Sequence, residues 1–486
     1  MVHNFEILVI HISILVLRLD EMEEEMKFFD DFVKLIKEHI FTKDTKIIRQ
    51  NIDFNKLNKE FELTTPPTPI SDEEVINYLK KYLNYSVKTN QPGFLQSLWG
   101  GSHIPAILGE LLIASTNTSM YTFDTAPVAT VIEKSMISKL TDLIGWGKGG
   151  GTFTSGGSNG NLLGLLCARN YNFPEYIKKG NLGKEFQIYI SSESHYSIEN
   201  AAKIMGIGIE NIIKINCDKN GKMKVQDLEK EIKNTLNNSK IPMCVVATGG
   251  TTIRGNFDPI NEISKVCKKY DIWHHLDAAW GGAALFSNKS QYLLDGIDKV
   301  DSICWDPHKL MGLPLICSTF LVKNLSNLRA IASCEKDPSY LFHGKENNFD
   351  LGKTSLACGR RADVIKLWLT WLTLGTEGWA KRVEYCLDMA SYLEQIVKQH
   401  KNLELMSSRE FTNVCFRWVP KEINEIDEFN IELRQKLVAN GEYMVSLAQL
   451  EGVQILRPVI AHPTITKSTL DGLIIEIETI AKSLSK

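Results

Sequence analysis

The sequence predicts an α/β protein whose largest domain is built on a mostly parallel sheet. Between about residue 100 and residue 323, short apolar and β-branched runs alternate with helix-like segments, which is typical of such a sheet. After Gly375 and Gly378, charged amphipathic helices and a strand-like run at 413–418 indicate a smaller α+β domain. Before residue 100 the apolar spacing is helical. We therefore expect a helical segment at 1–100, a large domain at 101–370 and a small domain at 371–486.

Composition narrows the function classes. The 486 residues are 43% hydrophobic and 23% charged, which is ordinary for a globular protein and unlike a disordered or multi-span membrane protein. Lys and Arg number 55 against 58 Asp and Glu, a net charge of −3, and no basic stretch suggests a nucleic-acid partner. The ten cysteines include no CxxC pair, so we expect no metal site and no disulfide framework. Free thiols are typical of a reducing cytoplasm.

The N-terminal segment holds an apolar run that is too short for a membrane helix. Residues 7–17 are mostly apolar, whereas a membrane span needs about 20 such residues, and the flanks do not fit a signal peptide. The run is interpreted as a helix or strand packed on the body. Alternatively, residues 1–25 are an extension, because Met22 and Met26 are also possible starts. Residues 28–39 have helical spacing, and Ser71 before three acidic residues predicts a helix start.

Two predicted strands end in residues that can carry chemistry. The strand-like runs of the large domain lie at 186–190, 243–247, 272–276 and 302–305. Asp277 follows the third run and Lys309 follows the fourth, and ligands bind at the carboxyl ends of such strands. A desolvated lysine is a usable amine nucleophile, and an aspartate can keep a pyridine nitrogen protonated, so the pair suits pyridoxal 5′-phosphate (PLP). Taken singly, each residue is more often a helix cap or a surface lysine.

Three further segments follow strands in the same stretch. Residues 154–161 (TSGGSNGN) precede an apolar helical run, and a glycine-rich helix start favours a phosphate. His195 follows one strand and could stack on an aromatic ring, and Thr248 lies in a Gly/Thr loop after another. Each alone is more often a turn or a cap. Their common order, each after a strand, strengthens the case for one site.

These motifs resemble the group II PLP-dependent amino-acid decarboxylases, and most of all their glutamate, cysteine sulfinate and aspartate branch. The resemblance runs from about residue 75 to the C-terminus, and its most specific parts are HLDAAWGG at 275–282 and DPHK at 306–309, where the family usually has Asn first. It implies the aspartate aminotransferase-like fold of type I PLP enzymes and a homodimer with active sites at the interface. The other matching stretches are 117–127, 194–197, 255–259, 358–363 with 366–368, and 412–416.

The resemblance also implies a role for each site residue. The catalytic residues are Lys309, His195 and Asp277. The cofactor contacts that it implies are Lys309 (Schiff base), Asp277 (pyridine nitrogen), Ala279 and His195 (the two ring faces), Ser158, Asn159 and His308 (phosphate) and Thr248 (phenolic oxygen). The implied reaction is α-decarboxylation of an acidic L-amino acid to the amine and CO₂.

The predicted substrate contacts are Gln96, Ser97, Trp99 and Arg457. Arg457 matches the family arginine near the substrate carboxylate, for which a guanidinium fork is well suited. Glutamate decarboxylases have Gln where Ser97 stands and a small Ser where Trp99 stands. A large ring fills space that a longer side chain would need, which favours aspartate or cysteine sulfinate over glutamate. Alternatively, Trp99 points elsewhere.

The loop that usually carries a proton-donating Tyr departs from the family. Its counterpart at 343–353 has no Tyr, Phe349 lies within it and Tyr340 precedes it. The proton donor is therefore open among His343, His195, Tyr340 and water, and the short loop can also be aligned differently. The alternative functions are an aldehyde-forming decarboxylase-deaminase, a diaminobutyrate or aromatic amino-acid decarboxylase and, in third place, a catalytically silent PLP-fold binding protein.

Overall fold

The structure is a computed structural model that describes residues 2–42, 47–61, 65–181, 183–333, 338, 340–342, 349–420 and 425–485, with side chains from residue 21 onward. The α-helices are α1 (Val2–Phe41), α2 (Phe54–Phe61), α3 (Asp72–Tyr85), α4 (Ile104–Thr116), α5 (Pro127–Ile144), α6 (Gly157–Asn172), α7 (Tyr176–Lys179), α8 (Ser197–Ile204), α9 (Val225–Asn237), α10 (Ile260–Tyr270), α11 (Leu325–Ala332), α12 (Val364–Gln399), α13 (Ile426–Asn440) and α14 (Lys467–Leu484). The strands are β1 (Phe94–Leu95), β2 (Gly150–Thr154), β3 (Phe186–Ser191), β4 (Ile212–Ile215), β5 (Ile241–Thr248), β6 (Trp273–Asp277), β7 (Ser302–Trp305), β8 (Ser318–Val322), β9 (Leu403–Leu405), β10 (Phe416–Trp418), β11 (Met444–Leu450) and β12 (Val453–Arg457).

The large sheet has seven strands in the order β2-β8-β7-β6-β5-β3-β4. The neighbours from β7 to β4 are all parallel, and only β8 runs antiparallel, to both β2 and β7. Six strands therefore point the same way and end at one edge of the sheet. The predicted α/β class with a mostly parallel sheet is confirmed, and four predicted strands correspond to β3, β5, β6 and β7.

A second sheet has five strands in the order β1-β11-β12-β10-β9. Its C-terminal strands are antiparallel, whereas β1 pairs in parallel with β11. Strand β1 falls in the segment expected to be helical, and its two residues are too few for a periodic signal. Leu95 is fully buried, so this short strand ties the N-terminal segment to the small sheet.

The N-terminal segment is otherwise helical. Helix α1 covers 40 residues and includes both the apolar run and the predicted helix at 28–39. At α3, Ser71 and Glu74 form a reciprocal capping box, which confirms the predicted helix start. In the part of the chain that the structure describes, no helix is both long and apolar enough to cross a membrane.

Helix α12 joins the two sheets. It crosses residue 370, the boundary that we expect from the sequence, and its helical geometry breaks at Gly375, where φ is +64°. A positive φ costs glycine little, so this position turns the chain without strain. The division into three segments stays a prediction.

The motif at 358–366 is held by buried ion pairs. Arg360 donates to both carboxylate oxygens of Glu133 on α5 at 2.8 and 2.9 Å. Lys366, fully buried on α12, lies 2.6 Å from Glu110 on α4 and 2.9 Å from Asp363. Removing one partner of a buried pair leaves a desolvated charge, so these residues lock α4 and α5 to α12.

Replacing Arg360 therefore tests this account of the fold. We expect Arg360→Met to lower the free energy of unfolding by about 3–5 kcal/mol, because Glu133 would stay buried without its counter-ion. The neighbouring Arg361, whose side chain is 56% exposed, pairs with Glu110 and serves as the control. Arg361→Met should cost less than about 1 kcal/mol. The measurement is denaturant unfolding at one protein concentration, and equal effects of the two variants would contradict the account.

Candidate active site

The predicted site residues gather at the carboxyl edge of the large sheet. Strand β6 ends at Asp277, β5 ends at Thr248, and His195 follows β3 by four residues. Helix α6 begins three residues after β2, and the DPHK segment directly follows β7. The structure thus brings together residues that are as much as 150 positions apart in the sequence.

Asp277 is buried, and each of its carboxylate oxygens accepts a hydrogen bond. The backbone N–H of Ala279 donates to Oδ1 at 3.1 Å, and Nδ2 of Asn161 donates to Oδ2 at 2.9 Å. Two such hydrogen bonds fix the orientation of the carboxylate. Asn161 had no predicted role, although it lies in the glycine-rich segment, because a neutral amide near a turn gives no signal of its own.

Helix α6 lies close against the strands that carry Asp277 and Lys309. A Cβ at Gly160 would lie 2.7 Å from Sγ of Cys304 on β7, and one at Gly164 would lie 2.5 Å from the His275 ring on β6. Only glycine fits at such distances. This contact brings Asn161, between the two glycines, within reach of Asp277.

The start of α6 suits an anion. Its N-cap Gly156 has φ of +129° and provides no side-chain cap, and open space lies where its Cβ would be. The first amides of a helix have no intrahelical partner, and the helix dipole favours negative charge there. Ser158 and Asn159 stand in this first turn, as predicted for phosphate contacts. Asn159 and Thr154 also line a cavity of about 520 Å³, which Lys309, Asp277 and His195 do not line.

Lys309 is 20% exposed and has an acidic neighbour. Its Nζ lies 3.3 Å from Oδ2 of Asp306, and Ser318 donates to the other oxygen of that carboxylate. The backbone N–H of Asp306 donates to the carbonyl of Ala279 at 3.3 Å, which connects the two motifs. The departure from the family's Asn therefore gives Lys309 a buried counter-ion.

His308 faces the loop that follows it. Its Nδ1 lies 2.8 Å from the Cys317 carbonyl, and its Nε2 lies 3.8 Å from Asp306. Burial lowers the pKa of His308, against the opposing effect of Asp306. Its predicted phosphate contact stays a prediction.

His195 and Thr248 lie on neighbouring loops. Ser194, next to His195, has its hydroxyl 3.4 Å from that of Thr248. Nδ1 of His195 lies 2.9 Å from the hydroxyl of Ser197. Burial lowers the pKa of His195, and Asp277 opposes that effect, so the ring is neutral near pH 7.

The predicted substrate residues lie where β1 and β12 meet the loop after β5. Arg457 is buried and donates to the carbonyls of Thr252 and Gln96 and to the hydroxyl of Ser446. Trp99 packs against Phe94 with the ring centroids 5.5 Å apart and the ring planes tilted by 45°. Ser97, which lies between them in the sequence, is half-buried. The structure therefore brings Gln96 to Arg457, whereas Trp99 packs on the strand itself.

The comparisons with known proteins agree with this geometry. The family model described as the pyridoxal-dependent decarboxylase conserved domain matches residues 55–419. The chain belongs to the pyridoxal-dependent decarboxylase family. It is a PLP-dependent amino-acid decarboxylase, and the resemblance to the group II enzymes is confirmed.

Relatives of this decarboxylase match nearly the whole chain. It is 32% identical to the proteins named acidic amino acid decarboxylase GADL1 from mouse and human, over 94% of this chain and 86% and 91% of theirs. The crystal structure of mouse CSAD in apo form is 31% identical, with a TM-score of 0.90, over 94% of this chain and 98% of that one. The rice TDC structure with PLP and tryptamine, 22% identical with a TM-score of 0.88, shares the fold.

The loop that departs from the family is described only in part. Residues 343–348, with the candidate donor His343, lie outside the described residues. Phe349 contacts the Phe123 ring at 5.7 Å between centroids, and Tyr340 is 76% exposed. The proton donor of the decarboxylase stays open.

Widening the contact between α6 and β6 tests the geometry of the site. We expect Gly164→Ala to weaken PLP binding by the apo decarboxylase about tenfold, because overpacking costs about 1–3 kcal/mol and moves Asn161 from Asp277. The control for stability is Gly359→Ala, because a Cβ added at this position would meet nothing within 4 Å. The measurement is titration of the apo protein with PLP by absorbance. Unchanged PLP affinity in Gly164→Ala would contradict the proposed packing.

Proposed function

We propose that this decarboxylase removes the α-carboxylate of an acidic L-amino acid and releases CO₂ and the amine. The observation that carries the proposal is the buried guanidinium of Arg457. Its described partners are two backbone carbonyls and one hydroxyl, and its Nε has no hydrogen-bond partner. Among the described residues no Asp or Glu forms an ion pair with it. A buried cation without a counter-ion is costly, and a substrate carboxylate would supply the missing charge.

The named relatives and the charge of the chain both support an acidic substrate. The mouse and human relatives named acidic amino acid decarboxylase are 32% identical over 94% of this chain. The net charge of −3 offers no general attraction for an anion, so a local cation has to provide it. Arg457 lies next to Gln96, which the sequence also assigns to the substrate.

The residues of the site would divide the work as follows. When bound, PLP draws electrons away from Cα as the carboxylate leaves. Lys309 would attach the cofactor, the first turn of α6 would hold its phosphate, and Asp277 would keep its ring nitrogen protonated. Asn161 and the backbone of Ala279 hold the carboxylate of Asp277 in place for that role. The buried edge excludes water around these charges, which strengthens their interactions.

We further propose that the substrate has a short side chain, aspartate or cysteine sulfinate in preference to glutamate. Trp99 is a large ring held against Phe94, and it stands where glutamate decarboxylases have a small residue. The ring packs on Phe94 of β1, so the proposal rests on its position in the sequence: a ring that bordered the substrate would exclude an additional methylene, which is worth about 1–3 kcal/mol in discrimination.

A second outcome of the reaction has an observation in its favour. Phe349 stands in the loop where the family usually has the Tyr that protonates Cα. A missing donor at that point favours oxidative deamination, in which O₂ is reduced to hydrogen peroxide and the aldehyde, ammonia and CO₂ are released, unless His195, Tyr340 or water delivers the proton. Product identity separates the two outcomes.

A substrate panel tests the proposed function. Holoenzyme is incubated with L-aspartate, L-cysteine sulfinate, L-glutamate, L-2,4-diaminobutyrate and L-tyrosine, and CO₂, amine, aldehyde and peroxide are measured. We expect the highest kcat/KM with aspartate or cysteine sulfinate, and amine and CO₂ as products. If CO₂ were released only from tyrosine or diaminobutyrate and from none of the acidic amino acids, the proposal of an acidic substrate would be contradicted. Aldehyde and peroxide would favour the second outcome.

The same panel locates the substrate carboxylate. Arg457→Lys should raise KM for the acidic substrate about tenfold, because a two-pronged charged contact becomes a single one. Arg417→Lys, on strand β10 and paired with the half-exposed Glu404, is the control and should leave KM unchanged. Equal KM values in the two variants would remove Arg457 from substrate binding.

We also propose that the enzyme is a homodimer. Leu108 and Leu111 on α4 and Val128 and Val131 on α5 are 51–71% exposed, and both helices pack on α12. Exposed apolar side chains on two helices that pack on the same helix support an interface there. Light scattering should give twice the 54.9 kDa chain mass, and Leu111→Glu should lower it, whereas Ile475→Glu on α14 should not. A monomeric wild-type enzyme would contradict the proposal.

The cysteines support a cytoplasmic location, which we propose as well. The nine cysteines in the described part of the chain are all unpaired, and seven of them are buried. Unpaired thiols are typical of a reducing compartment. Cell fractionation that places the enzyme outside the cytosol would contradict this location.

A further inference from the structure

A chain of buried hydrogen bonds leads from the middle of the large sheet to Asn161. The indole Nε1 of Trp273 lies 2.9 Å from the hydroxyl of Ser302, which lies 2.8 Å from Nδ1 of His275. Nε2 of His275 lies 3.0 Å from Oδ1 of Asn161. All four side chains are at most 2% exposed. The chain therefore reaches Asn161 without contact with water.

At Asn161 the chain of hydrogen bonds divides into two branches, and both end in the active site. Its Nδ2 donates to Oδ2 of Asp277 and to the hydroxyl of Ser197, both at 2.9 Å. Ser197 in turn meets Nδ1 of His195 with its hydroxyl at 2.9 Å and with its backbone N–H at 3.3 Å. One amide group thus serves both the predicted partner of the pyridine nitrogen and the histidine predicted to stack on the cofactor.

The direction of each hydrogen bond follows from chemistry. A carboxylate only accepts, so the amide of Asn161 must turn its NH₂ toward Asp277 and its oxygen toward His275. Burial lowers the pKa of His275 to about 4, so its ring is neutral and carries a single proton. That proton is on Nε2, where it is donated to Asn161, and Nδ1 accepts.

Both ends of the hydrogen-bond chain agree with this direction. Nδ1 of His275 accepts the hydrogen of Ser302, whose oxygen is then left to accept from Trp273. An indole N–H can only donate, so this end closes without conflict. At the other end, a backbone N–H can also only donate, so Nδ1 of His195 accepts from Ser197. The proton of the neutral His195 ring is therefore on Nε2.

We propose that His275 is a positioning residue, whose Nε2–H fixes the Asn161 amide so that its NH₂ serves Asp277 and Ser197 together. His195 is thereby held with Nδ1 turned inward and presents Nε2–H, a hydrogen-bond donor, toward the substrate. The identity of the substrate rests on the proposed function, whereas the direction of the chain does not. A carboxylate oxygen is the group that such a donor fits.

Two variants at one position separate this role from simple packing. His275→Leu removes the donor, so the buried Oδ1 of Asn161 loses its partner and the amide loses the contact that fixes it toward Asp277 and Ser197. His275→Gln keeps an N–H at about the position of Nε2. His274 precedes His275 on β6 and is also buried, but it forms a hydrogen bond with Ser264 on α10 instead. His274→Leu is therefore the matched control.

The first measurement is PLP binding by the full-length apo protein, which requires no turnover. We expect His275→Leu to bind PLP about tenfold more weakly than wild type, because the buried amide oxygen of Asn161 is left without its hydrogen-bond partner. We expect His275→Gln and His274→Leu to stay within about threefold of wild type, since tenfold corresponds to 1.4 kcal/mol. Normal binding by His275→Leu, no rescue by His275→Gln, or an equal loss in His274→Leu would overturn the proposal.

The second measurement needs no substitution in the chain except for assignment. Histidine ring nitrogens of the ¹⁵N-labelled apo protein are observed by NMR, and His195 is assigned by the signal lost in His195→Gln. We expect Nε2 of His195 to carry the proton and Nδ1 to be unprotonated near pH 7. A proton on Nδ1 would overturn the proposal even if the enzyme decarboxylates every acidic amino acid tested.

Discussion

The close contact of helix α6 with strands β6 and β7 is the constraint on which the site depends. Gly160 and Gly164 allow the helix to lie against Cys304 and the His275 ring at distances that no side chain would permit. The same contact sets where the helix begins, and so where its free amides point. A shift of α6 by the width of a methyl group would move the predicted phosphate contacts and the contact between Asn161 and Asp277 together.

The buried charges of the structure differ in their partners. Asp306 and Arg360 are each less than a tenth exposed, and each forms an ion pair, with Lys309 and Glu133 respectively. Arg457 differs, because its described contacts are neutral oxygens. Desolvated charges are costly unless paired, so the neutral surroundings of Arg457, together with its contact to the Gln96 carbonyl, support a binding role for it. The same reasoning distinguishes the motif at 358–366, which is held by ion pairs, from the motif at 275–282, which lies at the carboxyl edge.

The fold was largely predictable, because apolar strands alternating with helices leave a periodic signal. Asp277, Lys309 and His195 could be proposed as site residues because each is a titratable residue after a predicted strand, and the structure places all three at the same edge of the sheet. Asn161 and Ser302 could not be assigned, since a neutral amide or hydroxyl inside an apolar stretch looks like any buried polar residue. Strand β1 was missed because two residues form no pattern, and its pairing with β11 joins positions about 350 apart. Contacts of that range are set by the tertiary fold alone.

The central claim is that Lys309 at this edge attaches the cofactor. Purified protein is saturated with PLP, reduced with borohydride to fix the lysine–cofactor bond, digested and mapped by mass spectrometry. The account predicts one modified lysine per chain, in the peptide that contains Lys309. Stable modification of a different lysine, with Lys309 unmodified, would contradict it.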